Sequence, residues 1–406
     1  MTSDLKAAAR QRIEQERQRL LDLSRRIHAH PELGLEEERA CAWLCEELER
    51  AGFRVQRGVG GLPTAFAAHA GSGPLHLVVC AEYDALPGIG HACGHNLIAA
   101  ISTGAGIGLA RVADDAGLAV TVLGTPAEET VGGKITLLER GAFDGAHAAM
   151  MVHPSPVDID LLPIIAVAHF EAHYTGKEAH ASAWPELGVN AADAMVVAQT
   201  AIGLLRQHIR PSDRIHGIVT KGGDAPNVVP AHTSASWMVR ARTLAELDEI
   251  RGKVLRCFEA GALATGCELE IRVTHEPFAE MRHDPDLAAA YRRNAEALGR
   301  AFLEVDDTVR RAAGSTDMGN VSLALPSIHP SIGLFSLPAV NHQPEFTEHC
   351  AGPAADRAVL DGAVALAWTG IDAATDPALR ERLLRGPGGR PGISRGTEPP
   401  PPGDGV

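Results

Sequence analysis

The sequence predicts an α/β protein: a mostly parallel sheet with helices on both faces, interrupted by a smaller inserted α+β domain. Three observations carry this. Apolar runs at 75–81, 119–123 and 148–152 read as buried strands, and helical stretches at 97–112 and 134–140 lie between them. Strands that alternate with helices need crossover connections, which give a parallel sheet covered on both sides. From about residue 164 the texture changes to a strand–helix–strand–strand–helix–strand set of about 110 residues, the ferredoxin-like order.

Taken in order, residues 3–29 read as one long charged helix with Leu20, Leu23 and Ile27 on one side. A second helix is expected over 36–51, stopped by Gly52. Its Cys41, Leu44, Cys45 and Leu48 follow the i, i+3, i+4, i+7 spacing of a buried face, which makes both cysteines core residues. Within the insert, strands are expected at 166–175, 214–220, 232–242 and 268–274, with helices at 191–207 and 245–264. A further helix is expected over 285–302. The resulting division is a discontinuous catalytic domain (1–163 and 276–385), an inserted lid or dimerisation domain (164–275) and a disordered Gly/Pro-rich tail (386–406).

At 406 residues, two domains are expected. The net charge is −14 and no basic run is present, which argues against a nucleic-acid partner. No run of about 18 apolar residues suggests a membrane span. The charged first 19 residues lack the apolar region of a secretory signal. Seven cysteines without a pairing rhythm point to a reducing compartment, so the expected location is cytoplasmic.

Three chemistry-bearing clusters each follow an apolar strand. Glu82-Tyr83-Asp84-Ala85-Leu86-Pro87 and then His91-Ala92-Cys93-Gly94-His95-Asn96 follow the first. Cys93 and His95 are separated by a glycine that lets both side chains face one ion, and a thiolate with an imidazole suits zinc or a similar metal. Gly124-Thr125-Pro126-Ala127-Glu128-Glu129-Thr130 follows the second strand. Adjacent carboxylates cannot point the same way, so one can bind metal while its neighbour reaches a water. His153-Pro154 ends the third. Any one of these is more often an ordinary loop feature. All three open on the edge of the sheet where ligands bind in open α/β folds.

The run Glu82 to Asn96, with Pro126-Ala127-Glu128-Glu129, resembles the aminoacylase and amidohydrolase branch of the dinuclear-metal peptidases, over about residues 10–375. Together with Gly314-Ser315-Thr316-Asp317-Met318-Gly319-Asn320-Val321-Ser322 it points to the sub-branch of aminobenzoyl-glutamate hydrolases and β-alanyl-lysine-type dipeptidases. The resemblance implies two divalent metal ions (Zn, or Mn/Co) held by Cys93, His95, Glu129, His153 and His342, with Glu128 as general base. His349 competes with His342, but its Thr347-Glu348-His349-Cys350 setting matches less well. Asp84 and, with less support, Glu82 would orient the ligands from behind. The reaction implied is hydrolysis of an amide in a small N-acyl or aminoacyl amino acid: Glu128 takes a proton from the attacking water and passes it to the leaving amine.

In the insert, Gly176-Lys177-Glu178-Ala179-His180-Ala181-Ser182 resembles the segment whose histidine steadies the oxyanion, in many relatives from the partner subunit of a homodimer. Lys221-Gly222-Gly223-Asp224-Ala225-Pro226-Asn227 resembles the substrate loop, so Asn227 is expected to hydrogen-bond the substrate. Arg240 is a candidate for a substrate carboxylate, with a structural ion pair as the alternative. His216 is a weaker candidate, because an isolated strand histidine is usually packed. Gly314 opens a segment that forms either an anion nest or a plain turn. Other readings are an inactive metal-binding homologue with an interaction role, against which the retained Glu128 counts, or a hydrolase of another C–N bond. A zinc deaminase would need H-x-E with P-C-x-x-C, which is absent.

Overall fold

The computed structural model describes residues 2–306, Val309 and 313–386. Apart from Gly386, the tail expected to be disordered lies outside the described residues.

The larger sheet has six strands: β1 (Arg54–Arg57), β2 (Phe66–Gly71), β3 (Leu75–Ala81), β4 (Leu118–Gly124), β5 (Ala148–Met150) and β11 (Ser327–Ile328), in the order β1-β2-β4-β3-β5-β11. Pairs β3–β4, β3–β5 and β5–β11 are parallel, while β1–β2 and β2–β4 are antiparallel. The sheet is therefore mainly parallel with an antiparallel margin. Strand β3 is buried on both sides. Leu75, Leu77 and Val79 face a core built with the helices Thr2–Gln15, His95–Ala110 and Pro353–Thr375. Val78 and Cys80 face a second core with Leu137, Met318 and Val321. This two-sided burial explains why the strand reads as a continuous apolar run rather than an alternating one.

The helix His95–Ala110 lies inside the protein, and every residue from His95 to Leu109 is buried. Its small residues allow close approach. A Cβ on Gly104 would lie 2.9 Å from the Ala363 methyl and from a Leu20 methyl. The charged N-terminal region forms two helices, Thr2–Gln15 and Arg17–His28, rather than one. They meet at Glu16 (φ −91°, ψ 0°), whose carboxylate pairs with Arg12 and Arg50. The expected 285–302 helix stops at Glu296, with Gly299 beyond it at φ +88°.

Strands β7 (Ala166–Thr175), β8 (Arg214–Lys221), β9 (His232–Ala241) and β10 (Glu268–Val273) form a separate antiparallel sheet in the order β10-β7-β9-β8. Helix Ala191–Leu205 falls between β7 and β8, and Leu244–Thr265 between β9 and β10, which is the β-α-β-β-α-β order expected. Each helix begins on a side-chain cap: the Asn190 carbonyl accepts from Ala192 and the Thr243 hydroxyl from Glu246. Phe170, Tyr174, Trp237 and Phe258 fill the core between helices and sheet. The edge strand β8 exposes nearly its whole length, including Ile218 and Val219.

Two short parallel strands, β6 (His153–Ser155) and β12 (Ser331–Gly333), pair just beyond β5 and β11. The expected 148–152 strand thus stops at Met150, and the chain resumes extended structure at His153.

Candidate metal centre and active site

The candidate site lies where β3, β4 and β5 end. Glu82 and Asp84 follow β3, Glu128 and Glu129 follow β4, and His153 opens β6. Tyr83, between the two acids, is buried and donates its hydroxyl to the Thr64 carbonyl at 2.5 Å, which fixes the direction of the segment. Cys93 and His95 flank Gly94, which adopts φ +77° and packs so tightly that a Cβ would lie 2.4 Å from Pro154 Cγ. That close approach brings Cys93 Sγ within 3.4 Å of His153 Nε2. His95 is the first residue of its helix, two residues earlier than expected.

His342 arrives from far along the chain. It takes φ +68°, rare outside glycine, and its amide donates to the Ala92 carbonyl at 2.9 Å. Its Nε2 then lies 3.3 Å from Glu129 Oε1. The rival His349 is exposed at the end of the helix Pro344–His349 and joins no such cluster among the described residues.

Cys93, His95 and His153 offer ligand atoms within 4.8 Å of one another, and so do Cys93, Glu129 and His342, and His95, Glu128 and Glu129. Cys93 belongs to two of these sets and Glu129 to two. The donor set is soft sulfur, imidazole and carboxylate, which suits zinc, manganese or cobalt. His95 Nε2 and Glu129 Oε1 are buried without a hydrogen-bond partner. Orphaned acceptors of this kind are costly unless a cation satisfies them, so the residues fit a metal ion. His95 is aimed by Asp84, whose Oδ1 lies 2.8 Å from Nδ1 and whose Oδ2 accepts the Glu129 amide at 2.9 Å. His153 Nδ1 donates to the Pro154 carbonyl at 2.7 Å, leaving Nε2 free toward Cys93.

Burial and the Glu129 carboxylate push the Cys93 thiol up, so a nearby cation is needed to hold the thiolate. Burial also raises Glu128, with Glu82, Glu129 and Asp317 adding to it. Burial opposes ionisation of Glu82 as well, but the Lys134 ammonium together with the nearby His95, His153 and His329 rings outweighs it and holds that carboxyl at about 2. Burial pushes His153 down to about 4, so its imidazole is neutral and able to ligate.

Glu82, Glu128 and Asp317 form a further carboxylate set. Here the chain supplies its own cation. Lys134 Nζ lies 2.5 Å from Glu82 and 2.6 Å from Asp317, all fully buried, and the Lys134 amide donates to Asp317 Oδ2 at 2.8 Å. The other Glu82 oxygen lies 3.4 Å from His95 Nε2.

The expected residues of the insert form two other groups. His180 and Asn227 are exposed neighbours: the Ala181 amide donates to the Asn227 carbonyl at 3.0 Å, and the His180 ring accepts from its own turn at Ser182 and Ala183. Among the described residues, His180 joins none of the metal-ligand sets. Arg240 and His216 sit on adjacent strands, with Nε 3.4 Å from His216 Nε2. Arg240 also donates to the Ser315 hydroxyl at 3.0 Å, next to Gly314, whose carbonyl accepts the Ile165 amide. Among the described residues no carboxylate pairs with Arg240, and burial lowers its pKa.

Reasoning from the sequence gave no role to Lys134, Asp317 or His329. Lys134 reads as an ordinary charge at the start of a helix. His329 is buried with both ring nitrogens unpartnered, 5.3 Å from the His153 ring. A signal for it exists: His-Pro-Ser occurs at 153–155, which is β6, and again at 329–331, which leads into the paired strand β12.

A covered α/β sheet with thiol, imidazole and carboxylate donors converging at its strand ends, and a buried acid beside them, defines a metal-dependent hydrolase. The chain matches peptidase family M20/M25/M40 over residues 78–359 and belongs to it. It is 41% identical over 396 residues to the Xaa-Arg dipeptidase of Mus musculus, covering 94% of this chain and 91% of the relative. It is 34% identical over 282 residues to a p-aminobenzoyl-glutamate hydrolase chain of Escherichia coli, covering 64% and 58%. A dinuclear metal-binding peptidase of Bacillus subtilis shares the fold at a TM-score of 0.62 and 20% identity, over 86% of this chain and 98% of that one. A putative aminohydrolase of methicillin-resistant Staphylococcus aureus shares it at 0.73 and 21%, over 92% and 99%. The chain is a metal-dependent amide hydrolase of the dipeptidase and amidohydrolase type. No helix among the described residues is long and apolar enough to cross a membrane.

Proposed function

We propose that the chain hydrolyses the amide bond of small dipeptides, with a basic C-terminal residue as the leading substrate class. The observation that carries the catalytic part is the convergence of Cys93, His95, Glu129, His153 and His342, with orphaned ligand atoms, around a buried Glu128. The substrate class rests on near full-length identity to a protein named for Xaa-Arg dipeptides. N-acyl amino acids are the second class, supported by the aminobenzoyl-glutamate hydrolase relative.

In this reading the five residues would hold two divalent ions, Zn or else Mn or Co, with Cys93 bridging or ligating them. When bound, the ions polarise the amide carbonyl and acidify a water. Glu128, whose carboxylate also lies within reach of His95 and Glu129, is in this reading the base rather than a ligand: it takes the water's proton and delivers it to the departing amine. Asp84 holds His95 in the tautomer that presents Nε2. Arg240, without an acidic partner of its own, receives the substrate carboxylate, with His216 and the Gly314 turn beside it. His180 and Asn227 steady the oxyanion.

The exposure of His180 and Asn227 supports a homodimer in which each chain completes its partner's site. The exposed edge of β8 favours pairing through the insert. We further propose the domain division 1–163 with 276–385 and 164–275, and a cytoplasmic location, in keeping with seven cysteines of which none is paired.

The test is amine release from a panel of dipeptides ending in Arg, Lys or neutral residues, and from N-acyl amino acids, with Mn, Zn or Co added. Preference for the basic dipeptides is expected. Absence of turnover on every amide sinks the reading.

A further inference from the structure

The loop between the helices Arg17–His28 and Glu38–Arg50 contributes no metal-ligand candidate, yet it touches both acid-bearing segments of the site. The Glu32 carbonyl accepts the Ala85 amide at 2.8 Å, on the segment that carries Glu82 and Asp84. Gly34 lies so close to the next segment that a Cβ would meet Thr130 Oγ1 at 2.4 Å and Ala127 Cα at 3.0 Å. Glu37 reaches further. It stands at the N-cap of the helix Glu38–Arg50, but makes no capping bond to it. Glu32 does that work, accepting from the Arg39 and Ala40 amides at 3.1 and 3.0 Å. The Glu37 side chain is fully buried, and Oε1 accepts the amide of Ala127, 90 positions along the chain, at 2.8 Å. Oε2 accepts the Thr64 hydroxyl at 2.9 Å.

Ala127 is where the chain needs holding. It adopts φ +60°, a left-handed conformation that costs an alanine energy and that glycine takes freely. It immediately precedes Glu128. A strained residue persists only when its surroundings fix it, and such residues cluster at active sites. A buried carboxylate bonded to the strained residue's own amide is such a fixture. Thr64 keeps the carboxylate oriented, and Thr64 in turn receives the Tyr83 hydroxyl on its carbonyl, which links the clamp back to the Glu82–Asp84 segment.

We propose that Glu37 is a positioning residue for the general base: through the Ala127 amide it locks the left-handed turn that aims Glu128 into the site. The proposal rests on the reading of Glu128 as base. Glu37 touches neither substrate nor metal ligand in it, so its removal acts on turnover rather than on substrate affinity or metal content.

The experiment uses the full-length, metal-loaded enzyme and three variants. Glu37→Gln keeps an acceptor for the Ala127 amide and is expected to hold kcat within about threefold of wild type. Glu37→Ala is expected to lower kcat by about 10²-fold, the scale of a small misplacement of a reacting group, with KM little changed and metal content unchanged by elemental analysis. Glu37→Ala with Ala127→Gly is expected to recover a large part of that loss, because glycine adopts the turn unaided. Hydrogen–deuterium exchange of the 125–132 peptide gives a readout independent of turnover: protection of the Ala127 amide is lost in Glu37→Ala and kept in Glu37→Gln. Equal kcat in wild type and a folded Glu37→Ala overturns the proposal. So does a Glu37→Gln variant, folded and metal-loaded, that loses kcat by more than about tenfold, even if Glu37→Ala fails to fold. Unchanged exchange in Glu37→Ala overturns it as well. A wild-type enzyme that turns over no amide removes the functional reading instead, and the exchange result still decides whether the clamp exists.

Discussion

The metal-ligand cluster and the His180–Asn227 pair are both built from residues that sequence reasoning selected, yet they differ in kind. Cys93, His95, Glu129 and His153 are buried or half-buried, and each is oriented by a bond to something else. His180 and Asn227 are exposed and bonded to their own loops. Strand ends and the loop after β3 hold the first group within one chain, and the exposed His342 joins it from a distant segment. The second is presented on a surface, where in the proposed reading it completes the site of a partner chain. On the proposed reading, the difference separates what one chain assembles on folding from what it completes on pairing.

The sharpest way to break this comparison is at its fixed end. Glu128→Gln keeps shape but removes the proton acceptor. It is expected to lower kcat by about 10²–10⁴-fold while both metals stay bound. Steady-state kinetics with elemental analysis checks this. Loss of both metals in that variant means that Glu128 ligates and Glu129 is the base.

The exposed end is tested by complementation. His180→Ala is expected to cost about 10²–10³-fold in kcat, the usual scale for an oxyanion donor. Mixing His180→Ala chains with Glu128→Gln chains should restore activity to about a quarter of wild type, since half of the dimers are mixed and each carries one intact site. No recovery on mixing places His180 and Glu128 in the same chain's site and removes the composite-site reading.

Legibility from sequence follows the same division. The three site-bearing strands were readable because they are buried on both faces and therefore almost continuously apolar, with His76 and Thr121 as the exceptions. Strands β1 and β2 were not, since β1 is four residues long and mostly exposed, and β2 is largely alanine with His69 and Gly71 in its second half. Cys93, His95 and the glutamate pair were readable from local spacing. Lys134 was not, because its two partners lie 52 and 183 positions away and nothing local separates a buried lysine from a solvated one. Glu37 was hidden for the same reason: a glutamate ahead of a helix looks like a cap, and the bond it makes instead is a tertiary one.

Lys134 allows a stability test between the two ends. Lys134→Met leaves Glu82 and Asp317 buried without their counter-charge, with an expected destabilisation of about 3–5 kcal/mol by denaturant unfolding. Adding Glu82→Gln and Asp317→Asn should recover most of it, because neutral groups cost less to bury than unpaired charges. A Lys134→Met variant as stable as wild type means that the carboxylates find protons or water at no cost, and that the ion pair contributes little.

The smallest expected effect separates two histidines seven residues apart. Both are exposed, but His342 faces Glu129 at 3.3 Å from a strained φ, while His349 sits at a helix end outside the ligand sets found among the described residues. If strand-end preorganisation defines the fixed region, His342→Ala should lower metal stoichiometry or affinity, on the scale of about 10–100-fold even if it acted only indirectly. His349→Ala should leave both metal binding and kcat unchanged. Isothermal titration with Zn or Mn distinguishes the two. A silent His342→Ala with a damaging His349→Ala reverses the assignment, and with it the inference that a residue held at positive φ beside the Cys93 loop is held there to meet a metal.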